Sequence, residues 1–260
     1  MPRLAVGVEY DGTEFAGWQS QRGVRTIQAA VESAVTKVAA ASVVVQAAGR
    51  TDTGVHASGQ VAHFDAGAAR TQRQWLLGIN SLLPNDVAIR WVRSVPAEFD
   101  ARRTALWRRY RYLVHQSPVR PALSHTRAWW LTDALDCATM RSAATAWIGE
   151  HDFSAFRAAG CQSHTPWRCV HSIEVHEFAD IVAFEITANA FLYHMVRNLV
   201  GTLVEIGRHR QPPEWANELL QGRDRKLAAA TAPAAGLTLA AIGYPAEYDL
   251  PEPQGGLIIV

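Results

Sequence analysis

Lysine is almost missing from this sequence: of its 25 basic residues only Lys37 and Lys226 are not arginine. Cysteine is scarce as well. Cys137, Cys161 and Cys169 are odd in number and too few for a disulfide framework, which points to a reducing compartment. No apolar run reaches the roughly 18 residues that a membrane-spanning helix requires. The opening MPRLAVGVEY passes straight into strand-like alternation, without the apolar stretch of a secretory leader. No solenoid-type repeat is present, and no linker rich in Pro, Gly or Ser divides the chain. The expectation is a cytoplasmic protein without a membrane partner. Its 260 residues, 48% of them apolar, suffice for one large domain or two moderate ones.

The formal net charge of +1 conceals an uneven distribution. Residues 1–130 hold 16 Lys and Arg against 9 Asp and Glu, a balance of +7, whereas residues 131–260 hold 9 against 15, a balance of −6. Guanidinium forks match phosphate oxygens better than ammonium groups do, so a basic, Arg-rich front half suggests a polyanionic partner. A genome that favours Arg codons would explain the choice of Arg over Lys, but not the asymmetry. The sign changes between Arg120 and Thr132, which is also the best candidate boundary and gives halves of 1–125 and 126–260.

Alternation of apolar and polar residues predicts strands at LAVGVEY, QVAHF, DVAIRWVRSV, TALWRRYRYLVHQ, RCVHSIEVHEF, IVAFEITA and GLTLAAIGY, with a shorter apolar one at VVVQAAG. Helices are expected from a Thr26 cap to about Ala40, from a Thr71–Gln74 capping box through WLLGINSLL, and from an Asp136 cap to Ile148. Two more are expected, along ANAFLYHMVRNLVGTLVEIG and from Pro213 to Leu220. The Pro-rich tail YPAEYDLPEPQGG reads as a surface extension. Strand pairs beside helices argue for an α+β fold with a mixed, largely antiparallel sheet rather than a doubly wound parallel one.

One loop carries chemistry. In AGRTDTGVHASGQ, Asp52 sits between Gly49 and Gly54, which permit tight turns, and between the hydroxyls of Thr51 and Thr53, which can bond locally. Arg50 is a neighbouring cation that favours the ionised carboxylate, and an ionised Asp aimed at an electrophilic carbon is a competent nucleophile. A turn Asp that bonds only its own backbone would look the same.

The run AGRTDTGVHASGQ resembles the active-site loop of the tRNA pseudouridine synthase I family, in which the Asp after Gly-Arg-Thr is catalytic. The likeness continues in order through EYDGTEFAGWQ, QRGVRTIQ, LPNDVAIRWV, RRYRYLV, CQSHTPWR, NAFLYHMVRN and GLTLAAIGYP, from about Leu4 to Leu250. It implies that Asp52 is the nucleophile and that Tyr110 lies against the target base. It also implies that Arg197 pairs with the catalytic Asp and that Leu237 packs beside the uracil. Arg50 is suited by type to fill the space left by a flipped base or to grip a phosphate. The resemblance further implies a core of two ferredoxin-like halves with flanking helices, and a homodimer whose subunits both touch one tRNA. The implied substrates are uridines 38, 39 and 40 of the anticodon stem-loop. Isomerising uridine gains and loses no atoms, so neither a cofactor nor a metal is expected. The attack of Asp52 could fall on C1′ or on C6. Ala47 stands where some members carry cysteine, which removes a thiol nucleophile from consideration.

The residues weigh these roles differently. Strand alternation puts Arg108, Tyr110 and Tyr112 on one face and Arg109 and Arg111 on the other. Five arginines between Arg102 and Arg111 argue that one face is wet and phosphate-facing. Tyr110 could equally be a core tyrosine. Arg197, in an apolar helix, must snorkel to water or meet a carboxylate. Cys161, His164, Cys169 and His171 faintly resemble a zinc knuckle, although Pro166-Trp167 interrupts the spacing. A zinc deaminase would need an H-x-E with P-C-x-x-C, which is absent, and a glycosidase would need a second carboxylate. A tRNA-binding protein without chemistry is the remaining alternative, but it gives Asp52 no task. His56, His63 and His194 read as packed or loop histidines rather than general bases.

Overall fold

A computed structural model describes residues 1–252 of the chain. Its elements run β1 (Arg3–Tyr10), α1 (Ile27–Ala39), β2 (Gln46–Ala47), β3 (His56–Asp65), α2 (Gln72–Asn80), β4 (Val87–Val95), β5 (Trp107–Gln116), β6 (Trp129–Leu131), α3 (Cys137–Ala144), β7 (Gly149–Asp152), β8 (Trp167–Phe178), β9 (Ile181–Ala188), α4 (Met195–Gly207), α5 (Trp215–Gly222) and β10 (Leu237–Gly243), with short 3-10 turns between. The chain forms two compact units, one of Met1–Leu106 joined by the segment that starts at Thr238, the other of Trp107–Leu237. The stretch where the charge changes sign lies inside the second unit.

In the first unit the strand order is β4-β1-β3, with β2 also on β3. β1 runs antiparallel to both neighbours, so that Val6 faces Ala62 on one side and Val92 on the other. Together with α1 and α2 this is the β-α-β-β-α-β arrangement of a ferredoxin-like half. β10 adds to it, parallel to β3. The apolar stripe predicted for α1, namely Ile27, Val31, Ala34, Val35 and Val38, is buried. Thr26 occupies the cap position but makes no capping bond, and its Oγ1 is buried with no hydrogen-bond partner among the described residues. The expectation of a Thr26 cap is thus corrected: the side chain has been folded into the core. Thr71 behaves as expected, since it accepts from Gln74 N while the Gln74 side chain reaches back to Thr71 N. The tail is less free than its composition suggested. Pro245 leads into a turn at Ala246–Tyr248, and the Tyr248 ring meets Phe99 edge-on at 5.0 Å. The remainder of the tail, from 253 on, lies outside the described residues.

His63, on β3, is buried, and its Nδ1 accepts a bond from Ala101 N at 3.1 Å. Burial, aided by Arg3, lowers its pKa from 6.5. The unfolded chain therefore takes up a proton more readily than the folded one. Stability from this site is full above about pH 6.5 and is lost as pH falls below it. The stability gap between wild type and His63→Gln, measured by urea denaturation, should narrow from about pH 7.5 to about pH 5. A gap that stays constant would remove His63 from the acid response.

In the second unit the order is β5-β9-β8-β7, antiparallel throughout, with β6 parallel on β5. With the short β6 and β7 set aside, the order β5, α3, β8, β9, α4 repeats the first five elements of the other unit, and β5-β9-β8 repeats its order β1-β3-β2. This is the mixed, largely antiparallel α+β core that was expected. Its interior includes Trp147, Phe153 and Phe156, with the Trp147 indole N–H bonded to Ala216 O at 2.9 Å. Asp136 caps α3 through Thr139 N, but the helix ends at Ala144 in a 3-10 turn, earlier than Ile148. The segment 189–194 is not helical: α4 begins only after His194, whose positive φ of 59° breaks the helical path.

Candidate active site

Asp52 lies in the loop between β2 and β3, and its neighbours anchor that loop from two sides. From the sheet, the Tyr10 hydroxyl sits 2.7 Å from Thr51 Oγ1, and Gln60 Nε2 donates to Gly49 O at 2.7 Å. From the segment before α1, Trp18 N donates to Thr51 O at 3.0 Å and Gly54 N to Phe15 O at 3.4 Å. Val55 N closes a turn onto Asp52 O at 3.1 Å. The motif EYDGTEFAGWQ thus acts as a wall for the loop. At Gly17 (φ +84°) a Cβ would come within 2.6 Å of Thr51 O, and at Gly12 within 2.0 Å of Val55 O. Only glycine lets the two segments approach this closely. Thr51 is buried, Asp52 half-buried, and Arg50 and Thr53 are exposed. Burial pushes the Tyr10 phenol up to about 12, so it remains a neutral hydroxyl at physiological pH. His56, just past the loop, is buried with Nδ1 accepting from Gly12 N at 3.1 Å, which fits a packed histidine.

The second unit carries the other three residues. Tyr110 is half-buried on β5, opposite Ile186, and its ring meets Phe191 edge-on at 5.1 Å and 90°. Arg197, in the first turns of α4, donates from Nε to Ala232 O at 2.6 Å, while Ala232 N returns a bond to Arg197 O at 3.2 Å. Its partner here is a backbone carbonyl, which sequence reasoning did not consider. The stretch carrying Ala232 is itself held by Arg225, which donates to Ala228 O, Ala229 O, Thr231 Oγ1 and Asn198 Oδ1. Leu237 opens β10 and is buried.

The idea of a wet, phosphate-facing side of β5 is corrected for Arg111. That side chain is buried against Glu185, directly across on β9, and Arg109 bonds Thr187 Oγ1 and lies over the Trp107 ring. No group of three His, Cys, Asp or Glu able to hold a metal occurs among the described residues. Cys161 instead accepts from Tyr193 N at 3.4 Å. Sequence reasoning missed Tyr10, Gln60, Phe191 and Ala232. The first two were legible only as polar positions of strands, and nothing local marked the others.

A family profile described as tRNA pseudouridine synthase matches residues 7–102 and 143–245. Curated relatives agree: proteins named tRNA pseudouridine synthase A from Shigella boydii serotype 4 and from Escherichia coli O9:H4 are each 49% identical over 254 residues, covering 98% of this chain and 94% of theirs. A chain from a crystal structure of a Cbf5-Nop10-Gar1 complex aligns with 77% of this chain and 54% of its own length, at 15% identity and a TM-score of 0.34, too slight a likeness to add to the argument. On the profile match and the identity of these relatives, the chain belongs to the tRNA pseudouridine synthase family.

Proposed function

We propose that the protein converts uridine to pseudouridine in the anticodon stem-loop of tRNA, at positions 38, 39 and 40, and works as a cytoplasmic homodimer. The observation that carries this reading is the 49% identity to tRNA pseudouridine synthase A relatives over 98% of the chain. The fixed Asp52 loop supplies a chemistry consistent with it. No helix among the described residues is long and apolar enough to cross a membrane.

In this reading Asp52 is the nucleophile. Its ionised carboxylate bonds to the flipped uridine at C1′ or C6, and the N1–C1′ bond breaks. The detached uracil turns so that C5 bonds to C1′, and the bond to Asp52 breaks again, which returns the free carboxylate. The C5 proton leaves and N1 gains one, so atoms balance without a cofactor. Arg197 is the counter-charge that keeps Asp52 ionised, with its Nε tether to Ala232 O limiting how the guanidinium can turn. Tyr110 is the stacking face for the base, a contact worth roughly 1–3 kcal/mol, and its edge contact with Phe191 restrains the ring. Leu237 supplies the apolar surface beside the uracil. Arg50, exposed beside Asp52, takes the space vacated by the flipped nucleotide or its phosphate. A tRNA-binding protein without chemistry would leave Asp52 and its anchored loop without a purpose.

The test is to incubate the pure protein with unmodified tRNA and map pseudouridine by position. Product at 38, 39 or 40 is expected. Product elsewhere would overturn the positions, and no product would overturn the activity. Arg50→Ala should lower kcat/KM on tRNA by about 10- to 100-fold, given the few kcal/mol that flipping costs. An unchanged kcat/KM would exclude Arg50 from that step.

A further inference from the structure

Beneath the Asp52 loop lies a polar cluster that the reaction itself does not require. Tyr10, Thr51 and Gln60 are 3%, 6% and 0% exposed. The Tyr10 hydroxyl is 2.7 Å from Thr51 Oγ1 and accepts at 3.4 Å from Gln60 Nε2, which also donates to Gly49 O at 2.7 Å. Gln60 Oε1 is buried with no hydrogen-bond partner among the described residues. Burying three polar side chains between strands, one of them half-satisfied, is unfavourable compared with apolar residues of the same size. A sheet core gains nothing from such a set in stability, and partly satisfied buried groups concentrate where a fixed geometry is needed. What the cluster grips is specific. It holds Gly49 and Thr51, the residues on either side of Arg50, and Thr51 is bonded directly to Asp52 in the chain.

We infer that Tyr10 and Gln60 are positioning residues for the reaction: acting through Gly49 and Thr51, they set the height and direction of the loop that presents Asp52 and Arg50. This rests on the assignment of Asp52 as the nucleophile. The cluster pins the loop from the sheet side, while Trp18 N and Phe15 O pin it from the other. Loss of a pin lets the carboxylate stray from its line of attack without changing what the tRNA meets on the surface. Such a fault appears in kcat rather than in binding.

The experiment compares Thr51→Val, Thr51→Ser, Tyr10→Phe and Gln60→Met in the full chain, reading kcat, KM and tRNA Kd with Asp52→Asn alongside. A misplacement of under 1 Å predicts a fall in kcat of about 30-fold for Thr51→Val and Gln60→Met, with KM and Kd within about twofold of wild type. Thr51→Ser, which keeps the hydroxyl, should restore kcat to within about threefold, and Tyr10→Phe combined with Thr51→Val should be no worse than Thr51→Val alone. Tyr10→Phe preserves shape, so it stands in for Gln60→Met should that variant fail to fold. If Asp52→Asn is inactive while Thr51→Val and Gln60→Met (or Tyr10→Phe in its place) keep wild-type kcat, the positioning role is wrong and the nucleophile assignment survives. Equal losses in Thr51→Ser and Thr51→Val would likewise overturn it, because the hydroxyl would not matter. If Asp52→Asn turns over normally, the reading of the site itself fails.

Discussion

Asp52→Asn is expected to bind tRNA within about threefold of wild type and to form pseudouridine at a rate reduced by about 10,000-fold or more, as when a nucleophile is removed from a preformed site. The substitution keeps the shape of the side chain and exchanges one carboxylate oxygen for an amide nitrogen. The loop has reason to hold its form. The anchors at Gly49 O, Thr51 Oγ1, Thr51 O, Gly54 N and the Asp52 carbonyl are all unaltered by the change. What is lost is the negative oxygen that attacks in the proposed mechanism. Arg197→Ala should give a smaller fall in kcat, because in the proposed mechanism it supplies only a counter-charge and not the attacking oxygen. Rapid chemical quench on a labelled anticodon stem-loop would measure both. An Asp52→Asn enzyme with more than about one-hundredth of wild-type kcat would place the nucleophile elsewhere.

Much of the fold could be read from local pattern because its elements are locally consistent. The α1 stripe, the Thr71–Gln74 capping box and the long alternating strands each follow from side-chain period and a nearby cap. Failures came where the deciding contact is distant or the element is short. β6 and β7 have 3 and 4 residues, too few to show a period. Thr26 has the residue type and place of a cap, yet tertiary packing buried its hydroxyl instead. The start of α4 was misplaced because His194 accepts a left-handed conformation that composition does not reveal. At the site, Asp52 stood out through its glycine-framed loop and its family likeness. Gln60 did not, because a polar residue within a strand is ordinarily taken for the solvent side, and its bond to Gly49 O spans 11 positions.

Arg111→Ala is expected to destabilise the protein by about 3–5 kcal/mol, the loss typical of leaving one member of a buried ion pair without its partner. Arg111 Nε donates to Glu185 Oε1 at 2.8 Å, and the two side chains are only 8% and 14% exposed. Glu185 lies on β9 with Glu174 opposite it on β8, so truncation leaves two carboxylates facing one another with less positive charge nearby. Replacing both partners, as Arg111→Leu with Glu185→Leu, should recover most of the loss, since well-packed apolar pairs often match or exceed a buried ion pair. On that outcome the pair contributes more to register than to net stability. β5 and β9 are each rich in β-branched and aromatic residues, and a slip of one residue would carry every side chain to the opposite face. With Arg111 held to Glu185, Tyr110 must face Ile186 and Tyr112 must face Phe184. The double variant thus separates the two roles: urea denaturation should show near wild-type stability, while kcat falls if the Tyr110 face is no longer uniquely set. A loss below about 1 kcal/mol in Arg111→Ala would mean that water already reaches the pair and that the strand is held in register by its apolar neighbours alone.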